Sequence, residues 1–279
     1  MTTTAVESQS RPALRSTPTV AFVALLMRDF NVLRKNIVEF IVRSLMQPLL
    51  FVFVFTYVFP KIGFGVGGSG AGESTFSSLL VPGVVAIACM FQGVQSVALP
   101  LVTEFGFTRE IEDRVMAPLS ISGVAMEKMV AGAIQGIFAA IVVFPMAAFI
   151  PATAVHLDVQ WFELLTLLPL TAFCGAALGL VMGTRVDPRR VPLLFGVVVI
   201  PMTFLGATYY PWALLHDILW LQIIVLINPL VYMSEAMRAA LTPQLVPHMQ
   251  VWVIYVALIG FSTLLAWIGI RGFRGRVLT

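Results

Sequence analysis

The sequence predicts an all-α integral membrane protein with six transmembrane helices, an N-terminal interfacial amphipathic helix and an outer re-entrant helical segment between spans 5 and 6. Of its 279 residues, 59% are hydrophobic and only 11% are charged, whereas soluble domains average about 25% charged. A chain this poor in charge cannot cover a water-facing surface. A transmembrane helix needs about 20 apolar residues, and six runs meet that length: 39–60, 79–103, 124–150, 161–184, 191–210 and 249–270.

Ahead of the first span lie a polar tail and one amphipathic helix. Residues 1–17 are rich in Thr, Ser, Pro and Arg, so we expect a disordered cytoplasmic tail, followed by a single transmembrane domain over 18–279. Thr17 and Pro18 form a cap and a first-turn proline, which predicts a helix over 18–36. Its separate apolar and polar faces are typical of a helix lying in the membrane interface. A solvated helix of a cytoplasmic domain is the alternative, but no further domain is predicted to cover the apolar face.

The distribution of positive charge predicts the orientation. With six spans and a cytoplasmic N-terminus, fifteen of the 17 Lys and Arg residues fall in inner segments, and only Lys61 and Arg238 fall in outer ones. Such an excess is the rule for cytoplasmic loops. A seventh crossing at 213–233 would place the three arginines near the C-terminus outside. We therefore expect both termini in the cytoplasm.

The outer re-entrant segment is assigned to 211–248. It contains two short apolar helices broken at Asn228-Pro229, and the second carries Glu235 and Arg238. A proline removes a backbone donor and disfavours helical geometry in the residue before it, so the break is expected there. The aromatic residues that precede the break fit a belt at the outer face of the membrane: Tyr209, Tyr210, Trp212 and Trp220.

Four glutamines are the main polar residues in the spans: Gln47, Gln92, Gln95 and Gln135. Gln92 and Gln95 lie three apart on one face of the second span. Hydrogen bonding between helices is the favoured interpretation, and contact with a substrate is the alternative. A largely uncharged inner wall would suit an amphiphilic or lipid-like substrate.

Ionisable residues in mid-membrane usually mark an ion path. The spans are expected to be nearly free of them, because Glu39, Arg43 and Glu163 lie near span ends. This disfavours an ion-coupled carrier.

A charged island, 104–120, separates the second and third spans. Read as a helix, it pairs Glu110 with Arg114 and Arg109 with Asp113 at a spacing of four residues. Acids at Glu110 to Asp113 could hold a divalent ion in an enzyme acting on a lipid, but the local ion pairs favour a solvated, salt-bridged face. The sequence has no GxxxxGK[ST] loop and so no ATP site of that kind.

Two motifs, REIEDRVMAPLS from Arg109 to Ser120 and NPLVYMSEAMRAAL from Asn228 to Leu241, resemble the type 2 ABC-transporter permease family of drug, nodulation-factor and polysaccharide exporters. The resemblance implies that 104–120 is a coupling helix that docks on a separate ATPase. Its docking residues would be Thr108, Arg109, Glu110, Ile111, Glu112, Asp113, Arg114 and Pro118. The chain departs from the commonest family form, in which a Gly-Thr pair and a further acid precede the proline.

The resemblance further implies a transport subunit rather than an enzyme. It would pair with an identical or sister permease and with two ATPase subunits that hold ATP and Mg²⁺, while this chain binds no cofactor. The setting would be a bacterial inner membrane, with lipids as partners and without nucleic acid, since the basic residues are scattered. The substrate path would include Gln47, Gln92, Gln95 and Gln135, and the outer gate would include Tyr209, Tyr210, Trp212, Asn228, Pro229, Glu235 and Arg238. A lipid-modifying membrane enzyme and an ion-coupled carrier remain the alternatives.

Overall fold

The computed structural model describes residues 17–58, 61, 71–105, 119–150, 157–187, 190, 193 and 195–277, and every element in these ranges is helical. The α-helices are α1 (Pro18–Lys35), α2 (Ile37–Val52), α3 (Ala71–Thr103), α4 (Ile121–Phe149), α5 (Trp161–Arg185), α6 (Ile200–Phe204), α7 (Leu219–Ile224), α8 (Pro229–Leu241) and α9 (Val251–Val277). Phe53–Val58 and Phe195–Val199 are π-helical, and Trp212–Asp217 and Val225–Ile227 are 3₁₀ turns.

The core is built where α3, α4, α5 and α9 pack together, and α8 is inserted against them. Small residues let these helices approach closely, as is common in membrane bundles. A Cβ atom added at Gly179 of α5 would lie 2.6 Å from the carbonyl oxygen of Val94 on α3. Glycine is therefore required at that crossing.

Four of the six predicted spans are continuous helices long and apolar enough to cross a membrane, over 78–103, 121–146, 161–185 and 251–277. The first predicted span, 39–60, is helical as α2 followed by the π-helical turns up to Val58.

The fifth predicted span, 191–210, is not one regular helix in its described part, which is helical at 193 and over 195–204. The chain turns beyond α6, and Ala207 adopts a left-handed φ of 51°. Such a conformation is costly for a residue with a Cβ atom, so the surrounding packing must hold it. The count of six spans remains a prediction.

The outer segment breaks where the sequence predicts. The helical stretch 219–227 meets α8 at an angle of 97° around Asn228. Every residue of α8 is buried. Whether this segment re-enters the membrane or crosses it stays a prediction, but the helix break itself is confirmed.

The N-terminal helix also begins where predicted, at Pro18, after Thr17 in an extended conformation. It ends at Lys35, and a turn at Asn36 leads directly into α2. Its main described contacts are with α4 and α2. The predicted tail lies outside the described residues except for Thr17.

Candidate functional site

Gln92 joins three helices. The Ser44 hydroxyl of α2 donates to Gln92 Oε1 at 2.9 Å, and Gln92 Nε2 donates to Gln135 Oε1 of α4 at 3.4 Å. Gln92 itself lies on α3 and is buried. These contacts agree with the favoured interpretation, hydrogen bonding between helices. The side chain of Gln47 lies outside the described residues.

The expectation that the spans are nearly free of ionisable residues was wrong, because charged residues are buried in the third predicted span. Lys128, 4% exposed on α4, donates to Glu104 at 2.9 Å and lies 3.7 Å from Asp29 of α1. The neighbouring Glu127 is fully buried. The expectation failed because two adjacent charged residues, Glu127 and Lys128, hardly change the mean hydropathy of the long apolar run in which they lie. The signal was present, since an ionisable pair inside such a run is itself unusual.

A cleft of about 520 Å³ opens between α1, α2, α3 and α4. Its polar lining includes Arg28, Asp29, Asn36, Glu39, Gln95, Ser96, Thr103, Glu104, Lys128 and Gln135. The cleft thus brings together two of the four predicted path residues, Gln95 and Gln135. Gln92 lines a small adjoining hollow of about 20 Å³ that also contacts Gln95.

The predicted outer gate residues form one packed unit around a buried ion pair. Glu235 and Arg238 are both 0% exposed and meet at 2.8 Å. The Glu235 carboxylate also accepts from the backbone N–H of Trp212 at 3.0 Å and of Met249 at 2.7 Å. Arg238 donates to the carbonyl of Ala207 and, at 3.0 Å, to that of Thr208. The pair therefore fixes the left-handed turn after α6.

Asn228 and Pro229 fix the start of α8. The Asn228 side chain accepts from the backbone N–H of Leu230 at 3.0 Å and donates to the carbonyl of Met202 at 2.8 Å. Asparagine is a preferred N-cap, and proline is tolerated in the first turn. Asn228 therefore links the helix break to α6, and together with Pro229 it begins α8.

The aromatic residues of this unit pack mainly against protein. The ring of Tyr209 lies among those of Phe51, Phe55 and Phe204, with centroids 5.7 to 5.8 Å apart. Tyr210 donates to the carbonyl of Phe204 at 3.2 Å, and Trp212 Nε1 donates to that of Gln222 at 3.1 Å. The predicted outer belt is thus partly a set of packing contacts, although Trp220 is 66% exposed.

The predicted coupling residues, Thr108 to Arg114 and Pro118, lie outside the described residues, but both ends of their segment are described. Ser120 caps α4 by accepting from the backbone N–H of Gly123 at 3.1 Å. At the other end, Phe105 packs edge-on against Phe273 at 5.7 Å.

Arg276 lies on α9 and links Phe105 to the end of α5. Its guanidinium lies 5.4 Å from the centroid of the Phe105 ring. It also donates to the carbonyl oxygens of Gly183, at 3.4 Å, and Val186. The ends of α3, α5 and α9 therefore meet at one arginine, a role that sequence reasoning did not identify.

Comparison with known proteins gives a consistent result. The sequence model of the ABC-2 type transporter family matches residues 20–242. The inner membrane transport permease YadH of Escherichia coli K12 is 28% identical over 208 residues, covering 72% of this chain and 77% of YadH. The Cyanophora paradoxa protein ycf38 is 25% identical over 227 residues, covering 77% of this chain and 71% of that protein.

Proposed function

Because this chain belongs to the ABC-2 type transporter family, we propose that it is the transmembrane permease subunit of an ATP-driven exporter. The family match across residues 20–242 carries the proposal. The sequence lacks a phosphate-binding GxxxxGK[ST] loop, so ATP and Mg²⁺ would bind in a separate ATPase subunit. The name of the relative YadH supports a bacterial inner membrane, and the positive-inside pattern supports an orientation with both termini in the cytoplasm.

The assembly would contain two permeases, identical or sister, and two ATPase subunits. ATP binding closes the ATPase pair and moves the coupling helix, 104–120, of each permease. The described ends of that segment suit such a role. Glu104 is tied to α4 and α1 through Lys128, and Phe105 touches Phe273 and Arg276 of α9. A displacement at the coupling helix would therefore reach three other helices directly.

The substrate would be amphiphilic or lipid-like, such as a drug, a lipid or a glycoconjugate. The cleft between α1, α2, α3 and α4 has both polar side chains and an apolar wall that includes Leu33, Phe40 and Leu99. Binding sites of this mixed kind suit a ligand with a polar and an apolar part. The outer unit around Glu235 and Arg238 would close the path on the far side.

The coupling role is tested by reversing two charges, Glu110→Lys together with Asp113→Lys. The variant and the wild type are reconstituted in vesicles with the partner ATPase, and ATP-driven transport and ATPase stimulation are measured. We expect insertion to be unchanged and stimulation to fall at least about tenfold, which is roughly 1.4 kcal/mol of lost coupling.

A matched control is Asp217→Lys, which reverses an acid that is 83% exposed in the outer segment. It should transport normally. Unchanged transport by the Glu110 and Asp113 variant would rule out the docking role. Activity of the purified chain on a lipid with Mg²⁺ and no ATPase would instead favour the enzyme alternative.

One observation favours the ion-coupled carrier as a second candidate, namely the buried charges of Lys128, Glu104 and Asp29. Ionisable groups within membrane spans often belong to proton or ion paths. Transport driven by a pH gradient in vesicles without ATP or ATPase would support this candidate over the exporter.

A further inference from the structure

Two cavities adjoin each other under the N-terminal helix. The polar cleft of about 520 Å³ lies between α1, α2, α3 and α4. An apolar groove of about 240 Å³ lies between α1 and α4. Asp29, Leu33 and Gln135 line both of them. The two cavities therefore form one continuous surface that changes from polar to apolar along its length.

The most buried ionic groups of the cleft already contact one another. The ammonium group of Lys128 contacts the carboxylates of Glu104 at 2.9 Å and Asp29 at 3.7 Å. Lys128 and Glu104 are almost completely buried. A ligand with a full charge would compete with these contacts, and displacing a buried ion pair is costly.

Two carboxamides also line the cleft, beside the charged side chains of Arg28 and Glu39, which are exposed, so that solvent screens their charges. The side chains of Gln95 and Asn36 line it and make no hydrogen bond with any described residue. A carboxamide offers two donor hydrogens and one acceptor oxygen. It therefore matches groups that both donate and accept, as hydroxyl groups do.

The groove has the character needed for a hydrocarbon chain. It is lined by Leu26, Met27 and Phe30 of α1 and by Ala131 and Ile134 of α4. Phe30 remains 45% exposed and Met27 57% exposed. Covering this apolar surface would remove it from water, which is favourable.

We propose that these cavities bind a single amphiphile whose uncharged, hydroxyl-bearing head contacts Gln95 and Asn36 in the cleft and whose alkyl chain lies in the groove between α1 and α4. The size of the cleft is within the range of small-molecule sites, about 300–1,000 Å³. That this molecule is transported rests on the proposed function, whereas its binding does not.

Binding is tested with three photoreactive probes that share one alkyl chain carrying a diazirine and differ in the head: glucoside, trimethylammonium or sulfate. The purified full-length permease is embedded in lipid nanodiscs without detergent, and labelled peptides are located by mass spectrometry. We expect saturable labelling of α1 and α4 by the glucoside probe, competed by unlabelled alkyl glucoside. The two charged probes should label these peptides at least tenfold more weakly.

Two variants locate the site. Gln95→Leu removes the carboxamide, and Phe30→Ser removes part of the groove wall at a half-exposed position, so the fold should tolerate it. Each should lower glucoside labelling at least fivefold. The matched controls are Gln244→Leu and Phe162→Ser, which make the same changes at exposed positions that line neither cavity, and neither should alter labelling.

Labelling that is equal for all three heads would overturn the assignment of the head group. Labelling unaffected by Gln95→Leu and Phe30→Ser would overturn the site. Transport of the glucoside is measured in parallel with the partner ATPase. ATP-driven transport that persists unchanged in both variants would remove the site from the transport path while leaving the exporter intact. Saturable labelling without ATP-driven transport of the glucoside would keep the binding site and overturn the glucoside as a transported substrate.

Discussion

Replacing Arg238 by methionine should destabilise the protein more than any comparable surface change. The substitution keeps an unbranched side chain but leaves the buried Glu235 carboxylate without its ionic partner. Breaking a buried ion pair in this way costs about 3–5 kcal/mol. The carbonyls of Ala207 and Thr208 also lose their donors. Each unsatisfied buried group costs about 1–3 kcal/mol, so the two carbonyls alone would cost roughly 2–6 kcal/mol. This range overlaps the cost of breaking the ion pair.

The assay uses the protein's own cysteines. Cys89 and Cys174 are both free and buried, so a thiol-reactive fluorophore reports unfolding as the temperature rises. In a domain of 150–250 residues, 1 kcal/mol corresponds to about 2–4 °C in Tm. Arg238→Met should therefore lower Tm by roughly 6–20 °C. Because membrane proteins often unfold irreversibly, all variants are compared at one scan rate.

The matched control is Arg271→Met. Arg271 is exposed, and its guanidinium lies 3.8 Å from the centroid of the Trp267 ring. Losing an exposed cation–π contact costs about 0.5–1 kcal/mol, so Tm should fall by only a few degrees. In a double-mutant cycle, Glu235→Gln with Arg238→Met should be less harmful than the sum of the single changes, by up to about 3 kcal/mol. The reasoning would be refuted if Arg238→Met lowered Tm by less than about 4 °C. It would also be refuted if the effects of the two substitutions were strictly additive.

Three further outcomes are expected. Gln92→Leu removes hydrogen bonds to α2 and α4 and should cost about 0.6–1.7 kcal/mol, read as a small Tm decrease; no decrease would mean that these bonds contribute nothing net. Lys128→Met leaves Glu104 and Asp29 without their shared cation and should cost about 3–5 kcal/mol; adding Glu104→Gln should restore part of the lost Tm, and a further loss would contradict the pairing. Arg276→Lys cannot span both carbonyls with one fork of donors, so ATPase stimulation in reconstituted vesicles should fall several-fold with little change in Tm; intact stimulation would remove Arg276 from the coupling path.

Local features of the sequence were enough to predict the long helices. Four apolar runs became continuous helices, because the free energy of placing about 20 apolar residues in hydrocarbon depends on composition and length alone. The start of α1 at Pro18 and the break at Asn228 were also local, since proline and asparagine act on the backbone of their immediate neighbours.

The polar contacts could be predicted only in part. The sequence favoured a hydrogen-bonding role for Gln92, because a carboxamide inside a span must find partners. It could not name Ser44 and Gln135 as those partners, which lie 48 and 43 residues away along the chain. The irregular path of 191–210 was missed for a similar reason, because its apolar composition does not reveal the turn that Arg238 holds.

What the sequence determined by itself, then, was the membrane class, the positions of the main helices, the outer break and the family. Only the tertiary structure determined which groups the buried charged side chains contact. Lys128 meets Glu104 and Asp29, and Arg238 holds a turn some 30 residues earlier in the chain. A buried charge in a membrane protein is stable only beside a partner, and which partner it meets is set by the packing of whole helices rather than by neighbours along the chain.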